Sequence, residues 1–132
     1  MRISKKIRIV TGLTVVVMIG VAAIEPNAGN NDFKNLQVLP KGISTKDLQR
    51  IMVDDFQDGL GVSCTYCHAQ QKGSLHLDYA SDEKPEKEIA RFMMRMSMDI
   101  NQKYFNVAHP VIGDSALVIS CFNCHQGNAR PH

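Results

Sequence analysis

Tryptophan is absent from this chain of 132 residues, and its aromatic side chains come to three tyrosines and five phenylalanines. Aromatic residues supply much of the buried area of an ordinary small core, so the apolar interior foreseen here is thin and wants something added to it. A basic patch is also missing, which excludes nucleic acid as a partner. No apolar run reaches the roughly 20 residues that cross a bilayer as a helix. The longest, Ile9 to Ile24, has 16 residues, apolar apart from threonine and glycine. No cysteine follows that run, so a lipid-modified cysteine is not expected.

What precedes the run is basic: Met1 to Arg8 carries four basic residues and no acid. A basic stretch, an apolar stretch and the small residues Val21-Ala22-Ala23 make an export signal, cleaved after Ala23. An uncleaved membrane anchor is the alternative, since a slightly short span can be accommodated by its flanks. Residues 1–25 are therefore read as a signal peptide or N-terminal anchor, and 26–132 as one small domain. That domain keeps 11 basic and 12 acidic residues, a net charge of −1. The protein is expected to be exported and periplasmic, soluble or tethered to the inner membrane.

All four cysteines fall in one string that occurs twice, Cys64-Thr65-Tyr66-Cys67-His68 and Cys121-Phe122-Asn123-Cys124-His125. Cys-x-x-Cys-His is the pattern of covalent c-type haem attachment. Two thiols three positions apart sit on one turn of helix and can add to the two vinyl groups of one porphyrin. The histidine directly after them lies beneath the ring and can ligate the iron. Exported cysteines would otherwise be read as disulfides. The expected cofactors are two covalently bound haem c groups, held by Cys64 and Cys67 and by Cys121 and Cys124, with His68 and His125 on the irons. Two porphyrins would also supply the missing core, and without them the chain is expected to be largely unfolded.

After a polar linker, Asn27 to Asp32, the run Asn35-Leu36-Gln37-Val38-Leu39-Pro40 reads as an extended arm. Ser44-Thr45-Lys46-Asp47 has the form of a helix start, and Leu48, Ile51, Met52 and Phe56 follow at helical spacing. Gly59-Leu60-Gly61 ends that helix. Gln70 to Asp78 reads as a loop. Ser81-Asp82-Glu83-Lys84-Pro85-Glu86 starts a second helix that runs to about Tyr104, its apolar stripe formed by Ile89, Phe92, Met93, Met96 and Ile100. Val107 to Ser120 is a loop closing on a short apolar run, Ala116 to Ile119. The fold class is mainly α, a small multihaem cytochrome c of two helix–loop–Cys-x-x-Cys-His units. Met52 stands 12 residues before Cys64, whereas Met93 stands 28 before Cys121, so the second connection is the longer loop.

The remaining axial position of each iron decides function. A thioether raises the potential and suits electron transfer; an open site suits small-molecule chemistry. Met52 would ordinarily pack in the core, but the haem string beside it makes it a candidate ligand. Met93 and Met96 share the second stripe and are both candidates there, while Met94 and Met98 lie off it. His76, His109 and His132 are read as surface histidines.

Several stretches resemble the cytochrome c subunit of photosynthetic reaction centres. They are Asn35-Leu36-Gln37-Val38-Leu39-Pro40, Met52 before Leu60-Gly61-Val62-Ser63-Cys64, Ala80-Ser81-Asp82-Glu83-Lys84, and Arg91-Phe92-Met93-Met94-Arg95-Met96 through Cys121 to Gly127. In that family a haem lies parallel to a helix that donates methionine, followed by a turn and the Cys-x-x-Cys-His segment. The resemblance implies Met52 on the haem of His68 and Met93 on the haem of His125, with Met96 the runner-up. Such subunits typically carry four haems in two pairs and are often lipid-anchored; this chain resembles half of one.

The function implied is transfer of single electrons between periplasmic or membrane-bound redox partners, including a membrane electron-transfer complex, with no catalysis by the chain itself. A small haem oxidoreductase or peroxidase with one open iron is the enzyme alternative. A zinc-binding Cys/His module is the third reading.

Overall fold

A computed structural model describes residues 33–131; the signal or anchor segment, the polar linker and His132 lie outside the described residues. The chain is helix-rich with a single two-stranded hairpin among those residues. In order it forms α1 (Thr45–Arg50), continued without a break as a π-helical segment (Ile51–Asp58), then α2 (Cys64–Cys67), β1 (Ala69–Gln70), β2 (Leu77–Asp78), α3 (Pro85–Phe105) and α4 (Cys121–His125).

Local chemistry accounts for the helix ends. The Ser44 Oγ accepts from the Asp47 backbone N–H at 3.0 Å and caps α1, as the sequence foresees. α3 begins with Pro85 in its first turn and Glu86 and Glu88 facing the positive end of its dipole, an arrangement that needs no amide at the first position. Lys84 occupies the N-cap without a side-chain bond. Asp82 accepts from Arg91 at 2.8 Å and from Asn35 at 2.8 Å. α3 ends where Asn106 turns left-handed, at φ 56°.

Two further differences from the sequence reading concern winding and pairing. From Ile51 the first helix widens, so that the Gly59 N–H bonds back to Asp54 and the Val62 N–H to Gln57, five residues earlier. Such π winding is uncommon and is seen mostly at functional sites. Gln70 to Asp78, read as a loop, closes as a hairpin, with Ala69 opposite Asp78 and Gln70 opposite Leu77. Two paired residues per strand are too short for an alternating pattern to announce them.

The core consists of Leu39, Ile51, Met94 and Ile112, with Leu36, Val38, Leu48, Met52, Phe56 and Met98 packed around it. It is small for 99 described residues, as the scarcity of aromatics implies. The arm works on both sides: Leu36, Val38 and Leu39 pack inward, while Asn35 and Gln37 reach Asp82. Ile51 is sealed by the turn at Gly113, where an added Cβ would stand 2.5 Å from Ile51 Cγ1. Full burial of a side chain that size is worth roughly 2–3 kcal/mol.

The face that α3 turns to this core is not its apolar stripe. Arg91, Met94 and Asn101 are buried and Met98 packs on the core, a set at helical spacing. Ile89, Phe92 and Met96, from the foreseen stripe, are exposed, and Met93 and Ile100 half-buried. Two polar residues sit on the inner face because each is paired, which is what allows a polar group inside. Arg91 bonds Asp82 and Glu88 at 2.8 and 2.9 Å. α3 thus packs a mixed face on the core and leaves much of its apolar stripe open.

Candidate haem-attachment sites

Each Cys-x-x-Cys segment folds as a single helical turn, α2 and α4, which is what two thioethers to one porphyrin require. In α4 the turn is started by its own variable residue. The Asn123 Oδ1 accepts from both the Ser120 backbone N–H and the Ser120 hydroxyl, each at 2.8 Å. In α2 the Ser63 and Thr65 hydroxyls pair at 2.8 Å, and Lys84 donates to the Thr65 carbonyl.

Neither string stays with the helix that precedes it. α2 packs against α3, and α4 packs against the π-helical segment. The second contact is made by backbone. The Gly127 N–H donates to the Gly59 carbonyl at 3.0 Å. Gly61, at φ +63°, passes so close to Gly127 that a Cβ would collide with its carbonyl oxygen. Gly61 lies three residues before Cys64 and Gly127 three after Cys124, so this crossing brings the approaches of the two strings together. Only glycine meets both demands at position 61.

The four thiols are free. Burial, then the nearby charge of Asp55, pushes Cys121 up to about 11; burial, then Glu86, raises Cys67.

The two histidines differ. The His125 Nδ1 lies 2.9 Å from the Asn128 carbonyl oxygen. A carbonyl only accepts, so Nδ1 carries the proton and Nε2 keeps its lone pair for a metal, the usual arrangement of a ligating imidazole. The His68 Nδ1 is buried without a well-formed hydrogen bond, and the ring packs edge-on to Tyr79, centroids 5.1 Å apart. Burial, then the charge of Lys87, lowers the His68 pKa, with a loose contact to the Tyr79 backbone acting the other way. That favours neutral imidazole, the ligating form.

Of the methionines, Met52 is half-buried in the π-helical segment against the core. Met94 is buried in the core and Met98 packs on it. Met93 is half-buried, on the seam that holds Ile89 and Ile100. Met96, 41% exposed, lines a depression of about 360 Å³ with Phe92, Ile100 and Tyr104, and Arg95 and Lys103 also border it. Asp99 completes its lining, so the apolar seam is rimmed by charges of both signs. His76 and His109 are exposed. Among the described residues no three His, Cys, Asp or Glu side chains gather as ligands for a bare metal ion.

Attachment turns of this form define a c-type cytochrome. The chain belongs to the family described as photosynthetic reaction centre cytochrome C subunit, which it matches over residues 5–132. Membership of this cytochrome c family implies covalently bound haem c. It is 33% identical over 106 residues to a photosynthetic reaction center cytochrome c subunit of Rubrivivax gelatinosus, covering 70% of this chain and 28% of that one. It is 33% identical over 91 residues to cytochrome c-554 of Chloroflexus aurantiacus, covering 69% and 20%. A photosynthetic reaction center cytochrome c subunit of Thermochromatium tepidum is 31% identical over 84 residues, covering 58% and 20%. The chain thus spans between 20% and 28% of the length of these relatives. No solved structure matches it significantly. Among the described residues no helix is long and apolar enough to cross a membrane.

Proposed function

We propose that the chain is a dihaem cytochrome that passes single electrons between exported redox partners, one of them a membrane-bound complex of the reaction-centre kind. One haem is held by Cys64 and Cys67 with His68 and Met52 on its iron. The other is held by Cys121 and Cys124 with His125 and Met93, Met96 being the runner-up. Residues 26–132 form the haem domain, delivered to the periplasm by residues 1–25. A bound haem would supply a ferrous/ferric couple, and a methionine sulfur on its iron would favour the ferrous form.

The observation that carries this reading is the pair of one-turn attachment helices, each ending in a histidine. The residues around them act as a frame. Asn128 orients His125, Tyr79 packs on His68, and the Gly61–Gly127 crossing joins the approaches to both strings.

The test is a count and a substitution. Two haems by mass, with a Soret band that survives acid–acetone extraction, are expected. Met52→His should lower one midpoint potential with haem content intact; no change would sink the ligand assignment. Uptake of CO by the native ferrous protein would show one open iron and turn the reading to the oxidoreductase alternative.

A further inference from the structure

Asn101 is wholly buried, at 0% exposure, and every hydrogen-bonding capacity of its carboxamide is used. Its Nδ2 donates to the Ser97 carbonyl at 2.9 Å and to the Ile119 carbonyl at 2.7 Å. Its Oδ1 accepts from the Val118 N–H at 2.8 Å and the Ile119 N–H at 3.1 Å. The Ser97 hydroxyl adds a further donor to the Ile119 carbonyl, at 3.0 Å. A carboxamide that exchanges both its donor and its acceptor with one backbone segment acts as a clamp. Here it grips a segment 17 and 18 residues further along the chain.

The place gripped matters. Between Phe105 and Cys121 the chain has no regular structure, so nothing in the backbone carries position from α3 to α4. Ile119 is followed directly by Ser120, the residue that starts α4 through Asn123. Asn101 is on the same helix as Met93 and Met96. Ligation of iron from two sides requires that the histidine-bearing turn and the methionine-bearing helix keep a fixed separation.

We propose that Asn101 is the positioning residue of the second haem site: by holding Val118 and Ile119 against α3 it fixes where α4, and with it His125, stands relative to the α3 methionines, the residues that would hold the iron. This rests on the second string carrying haem. A purely structural asparagine would contribute to stability alone, and its loss would leave both haems of the folded protein spectroscopically unchanged.

The experiment uses the full haem-loaded protein. Haem content by mass comes first, and the two potentials are assigned with Met52→His, which lowers that of the other haem. Asn101→Ala is expected to keep two haems, because attachment is covalent, while the methionine-to-ferric-iron charge-transfer band loses about half its amplitude. Only the second haem's potential should fall. Ser97→Ala removes one bond of the clamp and keeps Asn101. It should move the same potential in the same direction by less, and it carries the test if Asn101→Ala does not fold. Unmoved potentials in a two-haem protein, or equal shifts at both haems, overturn the role of Asn101 and leave the dihaem reading standing. Fewer than two haems in the unmutated protein overturns the reading beneath it.

Discussion

The two haem strings reach their places by different means. From the end of the π-helical segment to Cys64 the chain takes five residues, and it is fixed by backbone: a π turn, then glycines crossing against Gly127. From Phe105 to Cys121 it takes fifteen residues without regular structure and is pinned by side chains: Ile112 in the core, Arg50 on the Gly113 carbonyl, and Asn101 with Ser97 on its last residues, Val118 and Ile119. A short connection inherits position from the element before it. A long one must be pinned, because the entropy of closing a flexible loop is regained only through new contacts. The lesson is that an identical five-residue motif carries its chemistry with it but not its placement.

The largest expected effect removes what both strings share. Changing Cys64, Cys67, Cys121 and Cys124 together to serine should abolish the cooperative fold, since four buried core side chains with a partly buried shell are little to hold the chain. Circular dichroism would show this, and native helix content with a cooperative melt would refute it. Gly61→Ala should come next. It places a methyl group against the Gly127 carbonyl at a left-handed backbone position, costing roughly 3 kcal/mol or more. Because the crossing joins both strings, the signatures of both haems should change, in contrast to the selective effect expected at Asn101. A change confined to one haem would separate the two strings more sharply than the structure does.

The smallest effect concerns acid. Asp82 ties the arm to α3, and its bonds to Arg91 and Asn35 hold its carboxyl down at about 2. The folded-state pKa lies below the unfolded one, so the carboxylate stabilises the fold at neutral pH, and that contribution fades as pH falls from about 4 through 2. Asp82 is exposed enough for solvent to screen the pair, so the effect is modest. Melting temperature against pH should fall less steeply in this window for Asp82→Asn. Identical slopes would show that the arm is held by its leucines alone.

Much of this arrangement was legible beforehand. The helix start at Ser44, the long helix from Pro85 and the strings themselves are local patterns, written in neighbouring residues; the run over 35–40, expected to be extended, bends at Gln37–Leu39 to bury Leu39. The inner face of α3 was not. Hydrophobic periodicity selected Ile89, Phe92, Met93, Met96 and Ile100, whereas the face on the core carries Arg91 and Asn101 between Met94 and Met98. A buried polar residue is invisible to such a pattern, because its partners, Asp82 and Val118–Ile119, lie elsewhere in the chain. The π winding was hidden for a related reason, since shifting a bond from four residues back to five leaves composition and spacing unchanged.

The sequence by itself determined the chemistry: two attachment strings, a histidine in each, and methionines on helices before them, because covalent attachment needs only residues that are adjacent along the chain. The tertiary structure decided the rest. It sent each string onto the other helix, turned one apolar stripe of α3 away from the core, and gave Asn101 its grip, because those outcomes depend on backbone groups far apart in sequence that only the folded chain brings within hydrogen-bonding distance.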